Sequence, residues 1–148
     1  MGKMELVPIR VDDVGILDKT EYKNLSAVDR LALIKDSTKG QSKGQFFRFY
    51  LIKVGKEVVG VINVFGHGND EISVAPEIFI EHRNKGYAKK SLTTTYSIAK
   101  ELGFKIVIAG IRADNIASQR LHEKLGFTLI GESVSKRGNL MKNYKKEL

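Results

Sequence analysis

The sequence predicts a mixed α+β domain of six to seven strands and about four helices, and three observations lead there. Apolar residues alternate at the period of a strand between Gln45 and Ile80, whereas Val28 to Ile34 and Ala88 to Leu102 repeat at helical spacing. Size is the third: 148 residues fit a single domain, here 1–148, and a chain of that length buries roughly 68–70% of its unfolded surface without needing staples.

Met4 to Arg10 has the pattern of a short first strand, with Pro8 tolerable at an edge or strand end. Asp12 and Asp13 suit a helix start, where carboxylates meet free amides. Ser26 with Asp29 three residues on resembles a capping box, and Val28, Leu31, Ala32 and Ile34 follow on one face, predicting a helix from about Ala27 to Ser37. Thr38 to Gly44 holds two glycines and two lysines, the composition of a mobile connection. Gln45 to Val54 and Glu57 to Phe65 form a hairpin turned at Gly55, and Gly66 to Asp70 turns into a third strand running to Ile80. These three strands predict an antiparallel meander. Pro76 lies inside the third and has no N–H to donate, which predicts a bulge, a break or a later start. A helix then runs from Ala88 to about Leu102, with Gly103 just past its end. Lys105 to Ile111 is apolar enough for a strand buried on both faces. Asp114-Asn115 precedes a helix with Ala117, Leu121 and Leu125 inward and Gly126 at its close. Phe127 to Ile130 begins another strand, and a hairpin through Lys136 to Asn139 ends the fold. The basic tail, Lys142 to Leu148, has the character of a surface edge. No repeat, low-complexity segment or linker interrupts the chain.

Composition narrows the classes of function. The chain has no cysteine, which excludes disulfides, thiolate nucleophiles and Cys-ligated zinc and fits a reducing compartment, so a cytoplasmic location is expected. Met1 to Arg10 lacks the apolar segment of a signal peptide, and no run approaches the ~20 apolar residues that span a bilayer, so no membrane partner is expected. Lys and Arg number 25 against 17 Asp and Glu, a formal charge of +8, which favours a polyanionic partner. Aromatic residues suited to base stacking are sparse near the basic tail, so no specific nucleic acid is expected.

The most informative stretch is Arg83-Asn84-Lys85-Gly86-Tyr87-Ala88, between the third meander strand and the long helix. A helix start offers backbone N–H groups without partners and the positive end of the helix dipole. Gly86 and Ala88 lack bulk, and Arg83 and Lys85 add charge, so the stretch has the makings of a pyrophosphate cradle. A tight turn with a solvated basic rim accounts for the same residues equally well. Neither a P-loop nor a Rossmann glycine fingerprint occurs.

A second pattern lies downstream. The run from Ile78 to Phe127, with Arg83-x-x-Gly86-x-Ala88, Asn115-x-x-Ser118-x-x-Leu121 and Glu123-Lys124-Leu125-Gly126-Phe127, resembles the GCN5-related N-acetyltransferase (GNAT) superfamily. The order of strands and helices agrees over almost the whole chain. The resemblance implies a central, mostly antiparallel sheet of six to seven strands flanked by about four helices, with a splay between the fourth and fifth strands. It implies acetyl-coenzyme A as cosubstrate; no metal is expected, because the three histidines show no ligand spacing. The cofactor pyrophosphate would sit on the backbone of Arg83, Asn84, Lys85, Gly86, Tyr87 and Ala88. The pantetheine arm would pair with Ile78, Phe79 and Ile80, with Asn115 and Ser118 on its other side.

The chemistry so implied is direct attack of a primary amine, on a small molecule or a protein N-terminus, on the thioester. The amine must first be neutral: for a Lys-like pKa of about 10.4 only roughly one in a thousand is free base near pH 7.4. Glu77 is a candidate base through an ordered water, or an exposed strand carboxylate; Glu81 fits a helix-start charge. The family often places a tyrosine where this chain has His122. Histidine exchanges protons near neutral pH and can stand in as the acid, or His122 is an exposed helix residue. His67, His82 and His122 show no metal-ligand spacing. Acceptor specificity is expected in Thr20 to Gly44 and the final hairpin, in a monomer or homodimer. The competing reading is a non-catalytic acyl-coenzyme A binding module.

Overall fold

The computed structural model describes residues 3–148, so Met1 and Gly2 of the N-terminal stretch lie outside it. The elements are β1 (Met4–Pro8), α1 (Ala27–Lys39), β2 (Gln41–Ser42), β3 (Gln45–Val54), β4 (Glu57–Gly66), β5 (Glu71–Ile78), α2 (Tyr87–Glu101), β6 (Ile106–Arg112), α3 (Ile116–Lys124), β7 (Thr128–Val134) and β8 (Leu140–Glu147), with 3-10 turns at Val11–Lys19 and Ile80–His82. The strands form one open sheet in the order β1-β3-β4-β5-β6-β8-β7, with β2 on β3. Among the described residues only β5 and β6 run parallel.

The sheet has eight strands, more than expected, because Thr38 to Gly44 is not a loose connection. Helix α1 continues to Lys39, Gly40 closes it in the left-handed region at φ 83°, and Gln41 and Ser42 pair back on Phe46 and Gln45. Ser26 caps the helix, its side chain accepting from the Asp29 N–H, which satisfies one of the donors a helix start leaves open.

Alternation along the strands sorts the core into two layers. Phe47, Phe49, Leu51 and Val61 pack with Ile34 of α1 and Leu17 of the first 3-10 turn. Tyr50, Ile52, Ile62 and Val64 pack with Leu92, Tyr96 and Ala99 of α2. Each fully buried side chain of this size contributes about 1.5–3 kcal/mol, and the two layers hold the sheet between α1 and α2.

Strand β5 pairs with β4 over its whole length without a register shift, and Pro76 lies opposite Ile62. The bulge or break expected at Pro76 is therefore absent, for a reason that the hydrogen-bond phase supplies. His67 donates to the Glu71 carbonyl and Phe79 to Val59, so odd-numbered residues of β5 direct their backbone groups to β4 and even-numbered ones to β6. Pro76 is even-numbered, and β5 meets β6 only at Glu71 and Ile72. Its missing N–H faces a gap and breaks no ladder.

That gap is the expected splay, between β5 and β6 once β2 is counted. Gly60 supports its rim: a Cβ there would meet the Glu77 carbonyl oxygen and the Ile78 Cα. Two further expectations change. Strand β6 buries only Val107 and Ile111, not both faces, because it lies between an open gap and β8. The basic tail is no edge: β8 sits between β6 and β7, leaving β7 outermost.

Candidate active site

The gap between β5 and β6 opens into a cleft of about 1160 Å³ whose walls come from β5, β6 and the first turns of α2 and α3. On β5 the groups of Val74, the Pro76 carbonyl and the Ile78 N–H point into it by the phase derived above. Strand β6 answers in kind. Leu148 donates to Lys105 and Ala113 to Leu140, so odd-numbered residues bond β8 and the backbones of Ile108 and Gly110 face the gap. Two strands thus present unpaired backbone polar groups to each other across a space, an arrangement that is costly unless something pairs with them.

At one end of the cleft stands the N-terminus of α2. Its N-cap is Gly86, at φ 83°, with no side-chain cap and no acidic residue in the first turn. Lys90 is the first residue to bond back, to Gly86, so the N–H groups of Tyr87, Ala88 and Lys89 lack helical partners. Asn84 is also left-handed, at φ 63°. A Cβ on Gly86 would meet nothing within 4 Å, so it is the left-handed backbone, rather than crowding by the protein, that favours glycine. Arg83 donates from Nε to the Ile78 carbonyl at 3.0 Å, clipping the loop to the end of β5.

Of the residues expected to hold the cofactor, Ile78, Arg83, Asn84, Gly86, Tyr87, Ala88, Asn115 and Ser118 line the cleft. Lys85 is exposed nearby. Phe79 and Ile80 are elsewhere, because β5 ends at Ile78 and the chain turns into a 3-10 helix. Phe79 is only 4% exposed and packs on the α1 side; its N–H donates to Val59 and its carbonyl accepts from His82. Ile80 is 76% exposed. Asn115 is the N-cap of α3, accepting from the Ser118 N–H at 3.1 Å.

His122 is buried rather than exposed. It lines the cleft, stacks edge-on against Phe127 with ring centres 4.9 Å apart, and brings Nδ1 to 2.8 Å from the Ser118 carbonyl. A carbonyl only accepts, so Nδ1 carries a hydrogen and Nε2 is the nitrogen left to exchange a proton. Glu77 also lines the cleft, and its carboxylate accepts from the Glu21 N–H at 3.1 Å. Glu81 pairs instead with Lys19 at 3.4 Å on the surface; hydrogen bonding to its own backbone, ahead of Lys19, lowers its carboxyl below the ordinary carboxylate range.

On the α1 face, Tyr22 is fixed by Asn63, whose Nδ2 donates to the phenol oxygen at 2.7 Å. Burial first, then the Glu21 and Glu77 carboxylates, raise the Tyr22 hydroxyl well above its usual range, so it stays protonated at neutral pH. Ser73, Ala75, Ile108 and Gly110 also line the cleft without having been singled out in the sequence. The alternation and the splay from the following strand were visible there; which residues of the two strands would face the gap was not. Among the described residues, no group of three or more His, Asp or Glu could hold a metal, and no helix is long and apolar enough to cross a membrane.

Residues 10–128 match the family described as the acetyltransferase (GNAT) domain. The chain is 27% identical over 138 residues to the SPbeta prophage-derived uncharacterized N-acetyltransferase YokL of Bacillus subtilis, across 87% of this chain and 78% of the relative. Over a shorter stretch of 51 residues, 34% of this chain and 30% of the relative, it is 39% identical to the L-methionine sulfoximine/L-methionine sulfone acetyltransferase of Salmonella typhimurium. Among solved structures, RimL, a ribosomal L7/L12 alpha-N-protein acetyltransferase in complex with coenzyme A, matches with a TM-score of 0.82 at 17% identity, over 98% of this chain and 94% of that one. The spermidine/spermine N-acetyltransferase SpeG from Vibrio cholerae matches with a TM-score of 0.80 at 16% identity, over 98% and 92%. At such identities the structural likeness concerns the fold.

Proposed function

The chain belongs to the GNAT acetyltransferase family, and from that premise we propose that it acetylates a primary amine, of a small molecule or a protein N-terminus, with acetyl-coenzyme A as donor. One observation carries the reading: an uncapped helix N-terminus opens onto a wedge of strand backbone with no partners. A pyrophosphate suits the first, since anions bind free amides at the positive end of a helix. A peptide-like pantetheine arm suits the second, because its amides can complete the ladders that β5 and β6 leave open.

In this reading Arg83, Asn84, Lys85, Gly86, Tyr87 and Ala88 hold the pyrophosphate. Val74, Pro76 and Ile78 pair with the arm, in place of Phe79 and Ile80, and Asn115 and Ser118 flank it. The bound donor supplies an activated acyl carbon and a thiol leaving group. The protein need only orient the amine, take its proton and return one to sulfur: a C–N bond forms and the C–S bond breaks. Glu77 takes the amine proton through an ordered water, and its bond to the Glu21 N–H fixes its direction. His122, carrying a proton on both ring nitrogens, gives the one on Nε2 to the thiolate and keeps the Nδ1 hydrogen on the Ser118 carbonyl.

Release of free thiol from acetyl-coenzyme A, measured with a panel of primary amines, tests the proposal. Amine-dependent release is expected. Tight coenzyme A binding with no release across the panel would point instead to a non-catalytic binding module.

A further inference from the structure

A second cavity, of about 530 Å³, lies on the α1 face of the sheet, between α1 and the adjoining ends of β3 and β4. Its volume is in the range of small-molecule sites. Leu25, Ala32, Leu33, Phe46, Phe47 and Phe65 make its walls apolar. Two features join it to the cleft. Phe65 lines both spaces, and His67, on the wall of the second cavity, lies with Nε2 2.7 Å from Oγ of Ser73, on the wall of the first.

The junction falls at the vertex of the splay. Gly66 pairs with Ile72, the last residue of β5 that still pairs with β6. Alternation along β5 turns Ser73, Ala75 and Glu77 toward the α1 face, so the cleft passes through the sheet and emerges beside the cavity. From Ile78 back to Ile72 the strand covers roughly 20 Å at its usual rise. An extended arm anchored at the α2 N-terminus therefore runs along this strand toward the place where the two spaces meet.

Charge separates the two faces as well. Around the cofactor loop stand Arg83, Lys85, Lys89 and Lys90. The cavity and its approach carry Asp29, Asp36, Glu21 and Glu77, opposed by Lys43. In a chain of net charge +8, a local excess of carboxylates draws cations. Nearby, Asn63 is 3% exposed and its Oδ1 has no partner among the described residues, leaving a buried acceptor in reserve.

We infer that the second cavity receives the body of the acceptor, and that the acceptor is a small primary amine bearing an apolar group of aryl or branched-alkyl size. The inference rests on the acetyltransferase reading above. The walls select the apolar body, and Glu77, the proposed base, bonded to the Glu21 N–H beside Tyr22 of the cavity wall, draws the ammonium toward itself. A polyamine would place further cations against apolar walls, at a desolvation cost.

The test compares kcat/KM for 2-phenylethylamine, ethylamine and 1,4-diaminobutane, in the wild type and in Ala32→Trp. Ala32 lies on the exposed side of α1, so the bulky replacement fills the cavity without entering the core. In the wild type 2-phenylethylamine is expected to exceed ethylamine roughly 30-fold, and Ala32→Trp to reduce that ratio at least about tenfold. Equal rates for all three amines, a preference for the diamine, or a ratio untouched by Ala32→Trp would overturn the inference. Calorimetric titration of 2-phenylethylamine into each protein with coenzyme A bound gives a readout independent of turnover. Binding to the wild type and not to Ala32→Trp, without acetylation, would sink the catalytic reading and leave the cavity assigned.

Discussion

At the scale of residues, Gly86 and His122 test different parts of the proposal. Gly86→Ala keeps the open space around the position but must hold an L side chain at φ 83°, at a cost of about 1–3 kcal/mol. The expected result is a lower thermal midpoint with coenzyme A affinity largely kept. Gly86→Glu adds bulk and negative charge where an anion is proposed to sit, and calorimetry should then show affinity reduced at least about 100-fold, beyond what strain explains. Unchanged affinity in Gly86→Glu would remove the cradle. For His122, the edge contact with Phe127 makes Phe a tolerated replacement. If Nε2 supplies the proton, His122→Phe lowers kcat by about 10²–10⁴-fold while the KM for acetyl-coenzyme A stays within about twofold. Wild-type kcat would leave His122 a packing residue.

At the scale of elements, the hydrogen-bond phase of β5 and β6 makes a residue-by-residue prediction. Coenzyme A should slow hydrogen exchange at the amides of Val74, Ile78, Ile108 and Gly110, which face the gap. Neighbours such as Ala75, Glu77 and Ala109 are already committed to β4 or β8 and should change little. Protection spread evenly over both sets would contradict pairing of the arm with the strand edges. Gly60 tests the rim from behind: Gly60→Val drives a side chain into the backbone at Glu77 and Ile78. A loss of about 1–3 kcal/mol is expected from such overpacking, read as a shifted denaturation midpoint, together with weaker coenzyme A binding as β5 moves.

At the scale of the whole molecule, the excess of positive charge is unevenly spread, with lysines and arginines around the α2 N-terminus and carboxylates beside the second cavity. Exposed charges act over roughly 10 Å at 0.1 M salt. Raising NaCl from 50 to 500 mM should therefore weaken coenzyme A binding several-fold, about 3- to 10-fold, while the KM for an apolar amine moves less. Equal salt sensitivity of the two would mean that the charge partition has no part in recognition.

Much of this was legible in the chain. The helix starts at Ser26 and Asn115, the hairpin at Gly55 and the open helix start after Arg83 to Gly86 all follow from local rules, because caps, turns and free helix amides depend on neighbours a few residues away. The family pattern from Arg83 to Phe127 was legible for the same reason. Burial of His122 against Phe127, which itself packs on Tyr96 of α2, depends on a distant helix, insertion of β8 between β6 and β7 depends on pairing order, and neither is a local property. The end of β5 at Ile78 and the fate of Pro76 likewise depended on which strand lay alongside. Sequence by itself thus determined most of the elements and the loop that opens α2, since both are written in short-range spacing. Tertiary structure alone decided which backbone groups the splay leaves open and which cavity adjoins it, since both arise where two strands far apart in the chain stop pairing.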